Sequence, residues 1–366
     1  MYGLYVHIPF CRKKCNYCDF ISQPEQEKIF SKYIKALNKE SKKYADLKIS
    51  TIYIGGGTPS ILSEKHLDNL FVNIYKNFNI ENLSEITFET NPESITESKL
   101  KTLKHLGVNR LSIGVQSLID DELKFLGRIH TANDVIAAFK KARKAGFDNI
   151  NIDLIYGLPY QTERLWQNNL REALLLQSEH ISLYPLTIEP STVFHINSVE
   201  IKEDSQGNMY EWSMEHLEKR GYEHYEISNW ALTKHYCKHN LIYWRNMEYI
   251  GLGVSAASYL NGLRYKNTND LNHYLRSNKK IVEEENIDLN RKISDEIMLG
   301  LRCRSGVNIK PEIYDKYSKP IERFISELLL EKDGENIKLT KVFVYWPKVS
   351  SNAFSYCKII LTDLKT

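Results

Sequence analysis

Short apolar runs alternate with longer amphipathic stretches over the first two thirds of the chain, and this alternation restricts the folds open to it. The predicted strands are residues 4–8, 51–54, 85–89, 110–115, 149–155 and 181–186. The predicted helices between them include residues 64–75, 97–105, 132–144 and 163–177. Strands that are near-continuous apolar runs and alternate with helices are typical of parallel sheets. We therefore predict an α/β fold of about six βα units, a barrel or partial barrel with functional side chains at the carboxyl ends of its strands.

Beyond the last of these strands the pattern loosens. Residues 222–228 are one more candidate strand, and residues 294–302 and 320–331 are predicted helices. A turn signal at 333–336 leads into a short strand at 337–339. Helices followed by a hairpin predict a small helical, winged-helix-like domain. We divide the chain into residues 1–230, a connecting segment at 231–289 and a C-terminal domain at 290–366, whose sequence after residue 340 is atypical.

Composition excludes several classes of protein. The 366 residues carry 49 Lys and Arg against 46 Asp and Glu, a balance that argues against a nucleic-acid partner. No apolar run reaches the roughly 18 residues of a membrane span, and the N-terminus lacks a basic leader, so we expect a cytoplasmic protein. Six cysteines are too few for a disulfide framework, and Cys303 and Cys357 are expected to be buried.

Three cysteines follow the first predicted strand in a C-x3-C-x2-C pattern: Cys11, Cys15 and Cys18. Thiolates so close in sequence can bind one centre, and the basic residues 12–14 favour the ionised form. Iron–sulfur clusters usually take four thiolates, so three would leave one iron open to a small molecule. The alternative is a zinc site completed by His7 or Asp19. The spacing favours the cluster.

Polar and glycine residues follow other predicted strands. A Gly-rich turn at 55–59 contains Gly56, Gly57 and Thr58. Further candidates at or after later strands are Glu89, Gln116, Arg128 and Asp153. Carboxylates can hold ribose hydroxyls or an ammonium group, an amide can pair with adenine, and Arg can bind a carboxylate. Each could alone be a core residue, but together they predict a binding site at one end of the strands.

These motifs resemble those of the radical S-adenosylmethionine family. In that family the open iron chelates the methionine amino and carboxylate groups, and an electron from the cluster cleaves the sulfonium to a 5′-deoxyadenosyl radical. The resemblance implies a partial (β/α)6 barrel, a [4Fe-4S] cluster on the three cysteines, and S-adenosylmethionine bound at the residues just given. It adds Tyr5 and Tyr17 to that binding site.

Within the family, the chain is similar to the anaerobic coproporphyrinogen III oxidase-like group over roughly residues 2–260. The motifs that carry this similarity are residues 5–11, residues 55–59 and Gly157-Leu158-Pro159 with Gln161-Thr162. Coproporphyrinogen dehydrogenases continue the cysteine motif with a fourth cysteine, where this chain has Phe20. This departure resembles the sister group, the heme chaperones of the HemW type, and argues against dehydrogenase activity.

That sister group is also marked by an H-N-x-x-Y-W motif. It is present here, in the connecting segment, as His239, Asn240, Tyr243 and Trp244. Imidazole is a common axial ligand of heme iron, and aromatic rings can pack on a porphyrin. The motif therefore predicts a heme site, with His195, His235, Cys237 and several tyrosines as alternative ligands. Core packing is the other interpretation of the motif.

We expect a heme chaperone that binds heme as cargo and delivers it to heme-requiring acceptors, such as respiratory enzymes. The alternative is an oxygen-independent coproporphyrinogen III oxidase that decarboxylates two propionates by radical chemistry. A third hypothesis is a zinc-bearing structural or nucleic-acid module. The resemblance is compatible with a monomer or weak dimer, and with peripheral contact at the inner face of the cell membrane.

Overall fold

Six strands from the first half of the chain lie parallel and side by side, in the order of the sequence. The structure, a computed structural model, describes residues 1–24 and 27–340, so the atypical tail and Cys357 lie outside the described residues. The six strands are β1 (Tyr2–Ile8), β4 (Ile49–Gly56), β5 (Glu85–Thr90), β6 (Arg110–Gln116), β7 (Ile150–Tyr156) and β8 (His180–Pro185). The predicted α/β fold with parallel strands is confirmed.

Helices connect these strands and cover the sheet. They are α1 (Glu27–Ser41), α2 (Glu64–Asn77), α3 (Glu97–His105), α4 (Asp120–Leu126), α5 (Ala132–Lys144), α6 (Glu163–Leu174), α7 (Val193–Ile196) and α8 (Glu203–Glu218). Shorter elements are the paired strands β2 (Phe10–Cys11) and β3 (Gln23–Pro24) and the 3-10 helices Lys42–Tyr44, Pro59–Ile61 and Pro92–Ser94. No helix in the described part of the chain has the length and apolar character needed to cross a bilayer.

The two faces of the parallel strands differ in chemistry. In β6, the buried apolar residues are Leu111, Ile113 and Val115, and they alternate with Arg110, Ser112 and Gly114. Successive side chains point to opposite faces of a sheet, so the apolar set packs in the core while the polar set lies on the other face. We call this polar face the inner face. Both faces of β6 are thus buried, but only one of them packs in the hydrophobic core.

Both edges of the sheet are extended. Beside β1 lie β11 (Tyr249–Leu252), β12 (Ala257–Leu260), β13 (Leu263–Asn267) and β14 (Ile281–Asn286), and beside β8 lie β10 (Asn229–Ala231) and β9 (Glu223–Glu226). Strand β11 is parallel to β1, whereas the others join antiparallel. The order β14-β13-β12-β11-β1-β4-β5-β6-β7-β8-β10-β9 does not close among the described residues, which agrees with a partial barrel. The helices α9 (Lys238–Trp244) and α10 (Leu271–Arg276) belong to this region.

The predicted connecting segment 231–289 thus contributes four strands to the main sheet. The division of the chain into domains stays a prediction. The C-terminal part contains α11 (Leu289–Gly300), β15 (Val307–Asn308), α12 (Pro311–Ser326), β16 (Leu330–Asp333) and β17 (Asn336–Leu339). Two helices and a three-stranded sheet of order β15-β17-β16 fit the predicted winged-helix-like architecture.

One predicted helix has both ends in the wrong place. The predicted helix at 320–331 overlaps the second half of α12, which begins at Pro311, contains Pro320 and ends at Ser326, and its last two residues lie in β16. Because proline cannot donate the helical hydrogen bond, the helix is interrupted, and Tyr317 takes a non-helical φ of −109°. The predicted turn is confirmed as the β16–β17 hairpin, where Gly334 has a φ of +63°.

Candidate functional site

The three cysteines of the C-x3-C-x2-C motif lie just beyond the carboxyl end of β1. All three thiols are half-buried. Thr58 Oγ1 donates to Cys11 Sγ at 3.5 Å, and Arg128 Nη1 donates to Cys15 Sγ at 3.5 Å. A Cβ built on Gly57 would lie 2.9 Å from Cys11 Sγ, so this close approach requires glycine. The structure therefore brings three residues predicted to bind S-adenosylmethionine, Gly57, Thr58 and Arg128, against predicted cluster ligands.

Asn16, inside the cysteine motif, fixes this loop on the rest of the chain. Its backbone nitrogen donates to Leu126 O at 3.0 Å, and its Nδ2 donates to Phe125 O at 2.8 Å. Its carbonyl accepts from Phe194 N in α7 at 3.1 Å. Asn16 stands between ligand positions in the sequence, but nothing local in the sequence identifies these distant partners. It is a positioning residue that the sequence analysis missed.

Burial governs the protonation of the thiols. Burial raises the pKa of Cys11, and it raises the pKa of Cys18 to about 11, against a smaller lowering effect of Lys14. The basic neighbours act in the expected direction, since Lys14 lowers the pKa of Cys18, but loss of water has the larger effect. Because burial favours the neutral form of these thiols, they need a nearby positive charge, such as that of a metal centre, to become thiolates. This donor set fits an iron–sulfur cluster.

The zinc alternative lacks a free histidine ligand. His7 Nε2 donates to Ile21 O at 3.0 Å, so its Nδ1 accepts from Tyr5 OH at 2.9 Å. Both ring nitrogens are therefore occupied.

Glu89 and Asp153 lie on the inner face, near the same end of the strands. Glu89 accepts from Tyr53 OH at 2.7 Å and from Gly56 N at 2.9 Å. Asp153 accepts from Ser112 Oγ at 3.0 Å. Burial raises the pKa of Glu89 to about 7 and also raises the pKa of Asp153. The carboxyl groups of Glu89 and Asp153 are both half-buried and can accept further hydrogen bonds. They are therefore suited to bind hydroxyl or ammonium groups of a nucleoside ligand.

Arg128 joins the cysteine loop to this polar face. Its Nη2 donates to Asn91 Oδ1 and to Gly114 O, both at 2.8 Å. Asn91 Nδ2 in turn donates to Thr58 Oγ1 at 2.9 Å. Asn91 is therefore a bridge that the sequence analysis did not select, although it follows Glu89 closely at the end of β5.

Two further predicted residues, Gln116 and Tyr17, adjoin this group. Gln116 is buried and has a φ of +65°. Burial raises the pKa of Tyr17, against a smaller lowering effect of Arg128.

The H-N-x-x-Y-W motif forms α9, at the other end of the strands. His239 is 1% exposed, with Nδ1 bonded to Thr51 Oγ1 and Nε2 bonded to Tyr243 OH, both at 2.8 Å. Burial lowers the pKa of His239 to about 3, so the ring is neutral. Heme ligation by His239 stays a prediction, and it requires exchanging one of these two hydrogen bonds for a bond to iron.

Other residues of the motif have structural contacts. Trp244 packs on the Arg302 guanidinium at 4.3 Å, which joins α9 to the C-terminal part. Asn240 is half-buried. Phe20, the position of the missing fourth cysteine, is 64% exposed on the cysteine loop. Among the alternative heme ligands, His195 is exposed, His235 is half-buried and Cys237 is buried.

Glu85 holds the beginning of α9 from a distant strand. Its Oε2 accepts from Lys238 N at 2.9 Å, and its Oε1 accepts from His239 N at 3.1 Å. Cys237 Sγ donates to the same Oε1 at 3.6 Å. These contacts satisfy amide groups at the start of a helix, which have no partners within it. The sequence offers no local signal for a cap 153 residues away.

Glu89→Gln is expected to make stability less dependent on pH. The folded-state pKa of about 7 exceeds the unfolded value of 4.5, so Glu89 stabilises the fold fully below pH 4.5 and loses this contribution as the pH rises through 7. Relative to wild type, the variant should gain on the order of 2–3 kcal/mol between pH 4.5 and 8. Urea unfolding at both pH values tests this, with exposed Glu172→Gln as the control. Equal pH dependence in Glu89→Gln and wild type would contradict it.

Comparison with known proteins agrees with this geometry. The radical SAM superfamily model matches residues 5–173. A coproporphyrinogen III oxidase from Escherichia coli, titled a radical SAM enzyme, superposes with a TM-score of 0.84 at 22% identity, covering 100% of this chain and 90% of that one. The fold and the cysteine site therefore define a radical SAM protein, a class that implies a [4Fe-4S] cluster and S-adenosylmethionine.

Similarity to two curated relatives shows which family within the radical SAM class the chain belongs to. The heme chaperone HemW of Lactococcus lactis is 38% identical over 375 positions, covering 98% of this chain and 97% of the relative. The heme chaperone HemW of Bacillus subtilis is 38% identical over 349 positions, covering 90% of each chain. The chain belongs to the HemW family of heme chaperones.

Proposed function

We propose that this protein binds heme as cargo and delivers it to heme-requiring acceptor proteins, including respiratory enzymes. The observation that carries the proposal is the near full-length similarity to heme chaperones, which extends through the C-terminal part as well as the radical SAM region. The exposed Phe20 in place of a fourth cysteine favours this function over coproporphyrinogen decarboxylation.

The cysteine loop would hold the [4Fe-4S] cluster through Cys11, Cys15 and Cys18. When bound together, such a cluster and S-adenosylmethionine supply one-electron reduction of the sulfonium. Arg128 would place positive charge beside Cys15, where thiolate charge develops. Thr58 would donate to Cys11 and keep that sulfur oriented.

The inner face would position the nucleoside part of S-adenosylmethionine. Glu89 is held by Tyr53 and Gly56, which fixes its carboxyl group at the end of β5. A Cβ on Gly55 would lie 2.7 Å from Glu89 Cδ, so glycine leaves the space that this carboxyl group occupies. Asp153 is fixed in the same way by Ser112 and Asn151. These residues would act as acceptors whose positions are set before the ligand binds.

An anaerobic hemin titration of the reconstituted protein tests the proposed function. We expect a saturable Soret shift with one heme per chain in wild type and in His105→Ala, an exposed control in α3. His239→Ala and Tyr243→Phe test the predicted heme site, because a ligand change moves the Soret maximum whereas a packing change does not. Absence of specific heme binding in wild type would overturn the proposal and favour an assay for coproporphyrinogen decarboxylation.

A further inference from the structure

Arg110 is a buried cation whose donors are not used by the protein. It begins β6 and is 2% exposed. Within the described residues its Nε has no hydrogen-bond partner, and no hydrogen bond joins its guanidinium group to another side chain. Buried polar groups in native proteins almost always have partners, and a buried guanidinium without one is costly. Such a group calls for a ligand or ordered water.

Glu85 does not fill this role. Its charge acts on Arg110 through space, together with Cys237, Tyr225 and Tyr53. However, the Glu85 oxygens already accept from the amides of Lys238 and His239, from Thr87 Oγ1 at 3.3 Å and from the Cys237 thiol. Its acceptor capacity therefore serves α9 rather than the guanidinium. A residue present only to neutralise Glu85 would be expected to hydrogen-bond it directly.

The register of the strands places Arg110 below the predicted nucleoside site. Arg110 pairs with Thr87, and Thr87 pairs with Tyr53 on β4, so these three lie at one level of the inner face. Glu89 pairs with Ser112, two residues further along, which is about 7 Å nearer the cysteine loop. Tyr53 and Glu89 are both only half-buried, so the inner face is open just above Arg110.

We infer that Arg110 binds a carboxylate of a ligand seated on the inner face. A guanidinium group forms paired hydrogen bonds with a carboxylate, and Tyr53 and Thr87 lie beside it at the same level. The carboxylate is a propionate of the carried heme, because the amino-acid carboxylate of S-adenosylmethionine would be held at the open iron of the cysteine loop. This inference rests on the proposed function.

Two ligands that differ only in the carboxylates test this inference. Hemin is compared with its dimethyl ester by anaerobic titration of the reconstituted full chain. We expect wild type to bind hemin about 10- to 100-fold more tightly than the ester. In Arg110→Gln this preference should fall to about one, with an unchanged Soret maximum.

Two further variants complete the experiment. Arg220→Gln removes an exposed charge at the end of α8 and should keep the full preference. Arg110→Lys keeps the charge but loses the paired donors, and its preference should fall to about a third of that of wild type or less. This variant also provides the test if Arg110→Gln does not fold, which thermal unfolding would reveal.

The outcomes separate the two levels of the proposal. Loss of the preference for hemin in the Arg110 variants assigns Arg110 to a propionate. A preference retained in both Arg110 variants, or absent from a wild type that binds hemin, would overturn the inference alone. Failure of wild type to bind hemin at all would overturn the proposed function and the inference that rests on it.

Discussion

Replacing Cys11, Cys15 and Cys18 together by alanine is expected to abolish iron and sulfide uptake during anaerobic reconstitution. The three thiols are neighbours on one loop, and two of them receive hydrogen bonds from Thr58 and Arg128. Without these sulfurs, no group of three potential ligands in the described residues can replace them. Iron and sulfide analysis with visible absorption spectroscopy measures the loss, which should be complete.

Cys303→Ala is the matched control for this triple variant. Cys303 is buried in the C-terminal part and hydrogen-bonds through its backbone to Gly300 and Gly306, away from the cysteine loop. Its replacement should leave the iron content unchanged. Full iron and sulfide uptake by the triple variant would show that the cluster, if present, has other ligands, and would contradict the assignment of the motif.

His239→Ala is expected to lower the free energy of unfolding by about 2–4 kcal/mol, in the absence of heme. The change removes a buried ring and leaves Thr51 Oγ1 and Tyr243 OH without their partner. It also removes contact with Gly3, where a Cβ would lie 3.3 Å from His239 Cε1. Loss of packing and loss of two buried hydrogen bonds act in the same direction. Urea denaturation of the apo-protein measures the effect.

Thr51→Val is the control because it removes one of the two hydrogen bonds and keeps the side-chain size. It should cost about 1 kcal/mol, clearly less than His239→Ala. A loss below about 0.5 kcal/mol in His239→Ala would contradict a structural role, since that is the range of an exposed site. A large loss of stability also means that heme binding by this variant must be compared at temperatures where it is folded.

Local signals explain why several elements could be predicted from the sequence. The predicted bounds 97–105 and 132–144 coincide with α3 and α5. Thr96 caps the first of these helices by accepting from Lys99 N, and Thr131 forms a capping box with Asp134 at the second. Such caps depend on residues three positions apart, so they are visible in the sequence itself.

The polar inner face was also visible but was missed. Residues 110–116 alternate strictly between apolar side chains and Arg110, Ser112, Gly114 and Gln116. A period of two indicates a strand with two different faces rather than one buried in apolar surroundings. This signal could have directed attention to Arg110, which the family motifs did not include.

Long-range contacts could not be predicted. The hydrogen bond at His239 Nδ1 is made by Thr51, which is 188 residues away in the sequence, and the amides at the start of α9 are bound by Glu85. The family resemblance predicted heme ligation at this motif, whereas its hydrogen bonds depend on how the strands and α9 come together. The thiol pKa values are a similar case, because the effect of burial on the pKa of Cys18 outweighs that of the charge on Lys14.

The most direct test of the proposed function is heme transfer from the loaded protein to a heme-free respiratory acceptor. An apo-globin that scavenges free heme serves as the comparison. We expect transfer to the acceptor to be faster than spontaneous heme release to the scavenger, and its rate to rise with acceptor concentration. Transfer at the same concentration-independent rate to both proteins would show that heme simply dissociates, which would contradict a chaperone function.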